Sequence, residues 1–180
     1  LITGGNKGIG LALTDKFVKN GYDVIVLGRD FQNFEFSDVL KVQFDLNEIE
    51  RIKEIAEEIG DIDILINNAG IDRKRPYYDY PKEDVERILN VNLKAPIALI
   101  NAYLPSFIKR HEGRVVNVAS QAAEVGHTDI WYGITKAGLV NVTKSFASIV
   151  GGEGVVINAV APGPVATEMI ENTPFAKRYE

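Results

Sequence analysis

The chain opens on "LITGGNKGIG", Leu1 to Gly10, an apolar run that breaks into a cluster of glycines and resumes as an amphipathic segment. Gly4, Gly5, Gly8 and Gly10 stand where a strand would turn into a helix. Without Cβ atoms the backbone can turn tightly there and approach a ligand closely, while the free N–H groups of the following helix face a bound anion. A dinucleotide pyrophosphate fits that description. The spacing of Gly4, Gly8 and Gly10 departs from the standard G-x-G-x-x-G, so the turn taken alone also reads as a packing corner.

Working outward, short runs rich in Val and Ile alternate with segments of helical period. That pattern marks repeated strand-helix-strand units around a parallel sheet. The runs "LIT", "DVIVLG", "KVQFDL", "DILINNA", "RVVNVAS" and "VVINAVA" are the expected strands, buried on both faces as central parallel strands are. Helices are expected at about 8–20, 48–59, 82–109 and 130–150, with Pro96 and Pro105 bending or ending the third. The stretch 30–41 reads as a loop or a single turn. The fold class is therefore α/β, a doubly wound parallel sheet, in which ligands bind beyond the carboxyl ends of the strands where strand order reverses. The unusual residues do cluster just after strands, in "TGGNKGIG", "GRD", "NNAG", "ASQAAE" and "APGPVAT".

Composition narrows the function. At 180 residues, 46% hydrophobic and 25% charged, the chain suits one soluble globular domain. A net charge of -5 and the lack of a basic stripe argue against nucleic acid or an anionic membrane as partner. No apolar run approaches the roughly 20 residues that span a bilayer. The absence of cysteine excludes disulfides and thiolate chemistry and makes the cytoplasm the expected location. His111 and His127 have no ligand spacing, so no metal site is expected.

A second constellation is "WYGITKAGL", Trp131 to Leu139, which sets Tyr132 four residues before Lys136 on one helical face. An ammonium beside a phenol favours phenolate and lowers the tyrosine pKa, which would suit Tyr132 to proton transfer. Alone, Y-x-x-x-K reads as readily as a rim tyrosine and a solvated lysine. Ser120, following the strand "RVVNVA", adds a hydroxyl that could hold a substrate oxygen against Tyr132, or cap a turn.

Together, "TGGNKGIG", "NNAG", the Tyr132/Lys136 pair and "APG", in that order, resemble the classical short-chain dehydrogenase/reductase family across essentially the whole chain. The resemblance implies a Rossmann fold that transfers hydride between a nicotinamide cofactor and a carbonyl or secondary alcohol. Its catalytic set would be Asn92, Ser120, Tyr132 and Lys136, with Asn92 holding a relay water. Its cofactor contacts would be Gly4, Asn6, Lys7, Gly8, Ile9 and Gly10 in the turn, then Arg29, Asp45 and Leu46. Asn68, Ala69 and Gly70 would follow, with Tyr132 and Lys136, and finally Pro162, Gly163, Val165 and Thr167. Asp45 also reads as a helix cap, and Asn68 as a stabiliser of the sheet end.

In such folds an acid at the end of the second strand binds the ribose of NAD, and a basic residue accommodates the 2′-phosphate of NADP. Here the acidic position falls on Gly28, followed by Arg29, with Lys7 in the turn. The cofactor expected is NADP (NADPH), with NAD second and Asp30 the counterargument. A 3-oxoacyl carrier-protein reductase is one expectation by analogy, and a non-catalytic NADP-binding regulator is the rival. The family's long helices imply a homodimer or homotetramer. The family pattern begins before Leu1 and continues past Glu180 into a lid and a further strand, so a single domain over 1–180 lacking both is expected.

Overall fold

The computed structural model describes residues 1–165, and Thr167 lies outside them. Six parallel strands lie in the order β3-β2-β1-β4-β5-β6: β1 Ile2–Thr3, β2 Val24–Gly28, β3 Val39–Gln43, β4 Ile64–Asn67, β5 Gly113–Val118 and β6 Val155–Val160. The helices are α1 Gly8–Lys19, α2 Ile52–Ile59, α3 Lys82–Leu89, α4 Ala95–Arg110 and α5 Ile130–Val150. The order reverses between β1 and β4, so the glycine turn after β1 and "NNAG" after β4 meet at the same crevice.

Side-chain alternation sorts the strands' residues between two cores. Leu27, Leu65, Val115 and Ile157 face one side, where Leu99, Tyr103 and Phe107 of α4 and Val150 of α5 cover them. Val24, Val26, Ile66 and Val118 face the other, against Leu11, Leu13 and Phe17 of α1.

Three sequence expectations change. The third strand is Val39–Gln43 rather than 41–46, and the chain leaves the sheet before Phe44 and Leu46, whose side chains join the core instead. Neither β3 nor β6 is buried on both faces, because each ends the described sheet: Leu40, Val156 and Val160 are exposed. The expected helix 82–109 is interrupted by a π-helical segment, Asn90–Lys94. Pro96 has no N–H to give the Asn92 carbonyl four residues back, and the Ala95 N–H reaches Asn90 instead, five residues back. Pro105, expected to bend or end the helix, lies inside an α4 that continues to Arg110.

A Cβ on Gly10 would meet the Gly4 carbonyl and the Asn68 amide. Helix propensity alone favours alanine there by about 1 kcal/mol. Gly10→Ala is nevertheless expected to destabilise by about 1–3 kcal/mol, because backbone cannot yield as a flexible side chain does. Urea unfolding measures this, and an unchanged or raised midpoint would refute the packing argument.

Candidate active site

The glycine turn is built from backbone. Gly4 and Gly8 hold φ of 64° and 53°, values costly for any side chain. The Gly4 N–H donates to the Leu27 carbonyl at 2.7 Å, and Thr14 Oγ1 donates to the Gly5 carbonyl at 2.9 Å, fixing the turn to β2 and α1. Lys7 at the head of α1 provides no side-chain cap, so the first N–H groups of the helix, including those of Ile9 and Gly10, have no side-chain acceptor at their head. Asn6 Nδ2 donates to the Asp30 carbonyl at 2.9 Å, tying the turn to the segment carrying Arg29. Asn6 also sits 3.2 Å from where a Cβ on Gly28 would be, so an acidic side chain there would press against it.

Across the crevice, Asn68 stabilises the sheet end: Nδ2 donates to the Thr3 and Gly4 carbonyls at 3.0 and 3.2 Å. Thr3 Oγ1 accepts the N–H groups of Asn68 and Ala69, both at 3.0 Å. Gly70 comes next, and a Cβ there would lie 3.2 Å from Lys136 Nζ. Glycine leaves the lysine head its space.

Lys136 and Tyr132 share one face of α5, as their spacing predicts, and Lys136 Nζ lies 5.6 Å from the Tyr132 ring centroid. Lys136 is 3% exposed, and its Nζ donates to the Val118 carbonyl at 2.8 Å. Burial lowers its pKa to about 8. The Tyr132 phenol is shifted the other way, upward, mainly by burial. The Ser120 hydroxyl pulls it down, while the Asp72 and Asp129 carboxylates push it up. The phenol is thus not made more acidic than a free tyrosine, as the Tyr132–Lys136 spacing had suggested. The ammonium gives a hydrogen bond to Val118. Ser120 follows β5, and its Oγ also accepts the Ala122 N–H at 3.2 Å, so it caps a turn as well as meeting the phenol.

Asn92 is completely buried in the π-helical segment and spends its amide internally. Oδ1 accepts the Ile71 N–H and Nδ2 donates to the Ile71 carbonyl, each at 2.8 Å, with Thr135 Oγ1 at 3.2 Å. Its side chain thus positions the loop after Gly70. Asp45 caps the turn after β3, accepting the Asn47 N–H at 3.0 Å, and pairs with Arg87 at 2.6 Å. Burial alone would raise the Asp45 carboxyl, but these bonds outweigh it and hold its pKa low. The buried Leu46 side chain packs in the core and can offer a ligand only its backbone. Near Ser120, the Pro162 carbonyl accepts the Gln121 N–H at 2.9 Å and Gly163 lies beside Gln121, while Val165 is exposed.

Of three neighbours of Tyr132, sequence reasoning missed Asp129 and Asp72. Asp129, 1% exposed, caps α5 by accepting the Tyr132 N–H at 3.0 Å. Asp72 follows the Asn92-held Ile71, and burial raises its carboxyl. The His127 ring lies 5.1 Å from that of Tyr132. An aspartate three residues before the tyrosine was a legible capping signal; Asp72 carried none, and His127 reads from the sequence as a loop residue flanking the site.

Comparison with known proteins agrees with this geometry. The family described as short chain dehydrogenase matches residues 1–177. Gluconate 5-dehydrogenase of Gluconobacter oxydans is 34% identical over 185 residues, covering 95% of this chain and 72% of that one. A 3-oxoacyl-acyl-carrier-protein reductase of Thermotoga maritima is 34% identical over 192 residues, covering 99% and 78%. A solved short chain dehydrogenase/reductase family protein superposes with a TM-score of 0.89 at 32% identity, covering 94% of this chain and 76% of its own.

The buried lysine makes a stability prediction. Its folded pKa, about 8, lies below the 10.5 of a free side chain. Between those values the unfolded chain holds a proton that the folded chain has released, so stability rises with pH across that window. Lys136→Met keeps the apolar stem without the proton, and its thermal midpoint is expected to lose this climb. A climb of equal size in the variant would place its cause elsewhere.

Proposed function

We propose, since the chain belongs to the short-chain dehydrogenase family, that this oxidoreductase interconverts a carbonyl and a secondary alcohol with NADP(H), using Ser120, Tyr132 and Lys136. The observation that carries the reading is the placement of Lys136. A buried ammonium lies beneath Gly70 and beside the Tyr132 ring, at the edge where the strand order reverses. A structural lysine would gain nothing from such burial, which costs free energy unless a ligand or proton uses the charge.

The residues fit a dinucleotide. Gly4 and Gly8 keep side chains out of the turn, and the head of α1 lacks a side-chain cap where a pyrophosphate would meet it. Arg29 and Lys7 supply positive charge at the ribose end, and Asn6 anchors the backbone after Arg29. With Gly28 lacking a carboxylate, that set suits a 2′-phosphate. Gly70, Ala69 and the backbone of Asn68 would pass the ribose, and Pro162, Gly163 and Val165 would line the nicotinamide end. Asp45 would meet the adenine.

When bound, the nicotinamide gives or takes the hydride at the carbonyl carbon. The chain's own residues handle the oxygen. Tyr132, a phenol that carries its proton at neutrality, gives that proton to the carbonyl oxygen as the carbon is reduced. Ser120 hydrogen-bonds the same oxygen and holds it toward Tyr132. Lys136 binds ribose hydroxyls and, once drawn from Val118, stabilises the phenolate left behind. Asn92 keeps the Gly70–Ile71 backbone over the lysine. Any proton relay at Asn92 runs through its backbone carbonyl, to which Pro96 donates nothing.

The substrate is a small carbonyl compound or alcohol; the relatives above act on chemically different ones, so neither name transfers. Exposed Ile134 and Ile149 on α5 fit the homodimer or homotetramer expected from the family's helix pairing.

Tyr132→Phe is expected to lower kcat ~10²- to 10⁴-fold with NADPH binding unchanged, measured by NADPH oxidation over a ketone panel. Full turnover in that variant would end the proposal. Arg29→Glu is expected to reverse the preference for NADPH over NADH, and an unaltered ratio of the two kcat/KM values would refute the 2′-phosphate assignment.

A further inference from the structure

Asp129 is a carboxylate buried to 1% exposure, and such a group persists only where donors meet both oxygens. Here the donors come from opposite walls of the crevice. Oδ1 accepts the N–H of Tyr132 at 3.0 Å, the first turn of α5. Oδ2 accepts the N–H groups of Arg73 at 2.8 Å and Lys74 at 3.3 Å, on the loop that leaves β4. Lys74 is held at a φ of 48°, a left-handed backbone that a lysine adopts at a cost. Three residues before Lys74 the same loop is gripped at Ile71 by Asn92. Asp129's own N–H donates to His127 Nδ1 at 3.1 Å, and that ring lies 5.1 Å from the Tyr132 ring.

We infer that Asp129 is a positioning residue that sets the distance between loop 71–74, a wall of the substrate site, and the phenol of Tyr132. This rests on the reading of Tyr132 as proton donor. Neither Asn nor Ser can replace it. An asparagine offers one acceptor oxygen and turns an NH₂ toward two N–H groups, and a serine has a single oxygen. Both still cap a helix as well as aspartate does. They therefore separate the two tasks, keeping the start of α5 and releasing the loop. Asp84 of α3 is a second anchor, but it holds Arg73 and Arg75 by their guanidinium heads, not by the backbone.

The test uses Asp129→Ser, Asp129→Asn and, as control, Asp84→Asn. Expected for both Asp129 variants are a thermal midpoint near that of the unaltered chain, faster tryptic cleavage after Arg73 or Lys74, and NADPH affinity within about twofold. With a ketone substrate, kcat/KM falls ~10- to 100-fold, since a small misplacement at the reacting atoms costs that much. Asp84→Asn leaves kcat/KM unchanged. Unaltered tryptic cleavage in the Asp129 variants overturns the clamp. Faster cleavage with kcat/KM intact overturns its part in positioning, as does an equal loss in Asp84→Asn. If the variants do not fold, hydrogen exchange of the unaltered chain decides. Arg73 and Lys74 amides protected like those of a helix support the clamp, and exchange at the rate of an open loop overturns it. Cleavage and exchange read the clamp without turnover, so an active Tyr132→Phe would refute the proton-donor reading alone.

Discussion

A lysine ammonium with almost no water around it is the constraint on which this site depends. Lys136 lies 3% exposed, satisfied in part by the Val118 carbonyl, and the surrounding backbone is shaped to admit it. Gly70 is glycine because a Cβ would crowd Nζ. The loop stays over it because Asn92 holds both polar atoms of Ile71. Asn92 can do so because it sits in a π-helical segment, which widens the helix and turns the side chain inward beside Thr135. The proline at the start of α4 and the glycine after β4 are thus parts of one arrangement.

Much of the fold was legible because central strands and long helices carry strong periods. α5 runs over Ile130–Val150, where its pattern places it, and β1, β2, β4 and β6 fall within a residue or two of their apolar runs. β3 was misplaced for a physical reason. As an edge strand with exposed alternate residues it has a weaker apolar signal than the Phe44–Leu46 segment after it, which is buried without being sheet. The interruption before α4 was visible only as Pro96, which signals a break but not its geometry.

The site divides the same way. The glycines, Ser120, Tyr132 and Lys136 were readable because local spacing fixes their relation: a tight turn, a strand end, one helical face. The distant partners of Asp129 and Asp45 were not, since they lie far along the chain. Asp129 looks like any N-cap until Arg73 and Lys74 arrive from 56 and 55 residues away, and Asp45 shows only a cap until Arg87 closes on it from 42. Asn92 was found by pattern, but its pattern said nothing of Ile71.

The direction of the Tyr132 shift bears on how the site works. Adjacency to a cation was the reason to expect an acidic phenol, yet burial and the Asp72 and Asp129 carboxylates leave it less acidic than a free tyrosine. On the proposed reading the Tyr132 proton goes to the carbonyl oxygen in reduction. Running in the other direction requires phenolate, toward which the Ser120 hydroxyl pulls the phenol. On the proposed reading, added positive charge would come from Lys136 and from the oxidised cofactor. Binding would then do more than deliver hydride chemistry: by changing the charge beside one phenol, it would decide whether that phenol acts as acid or as base.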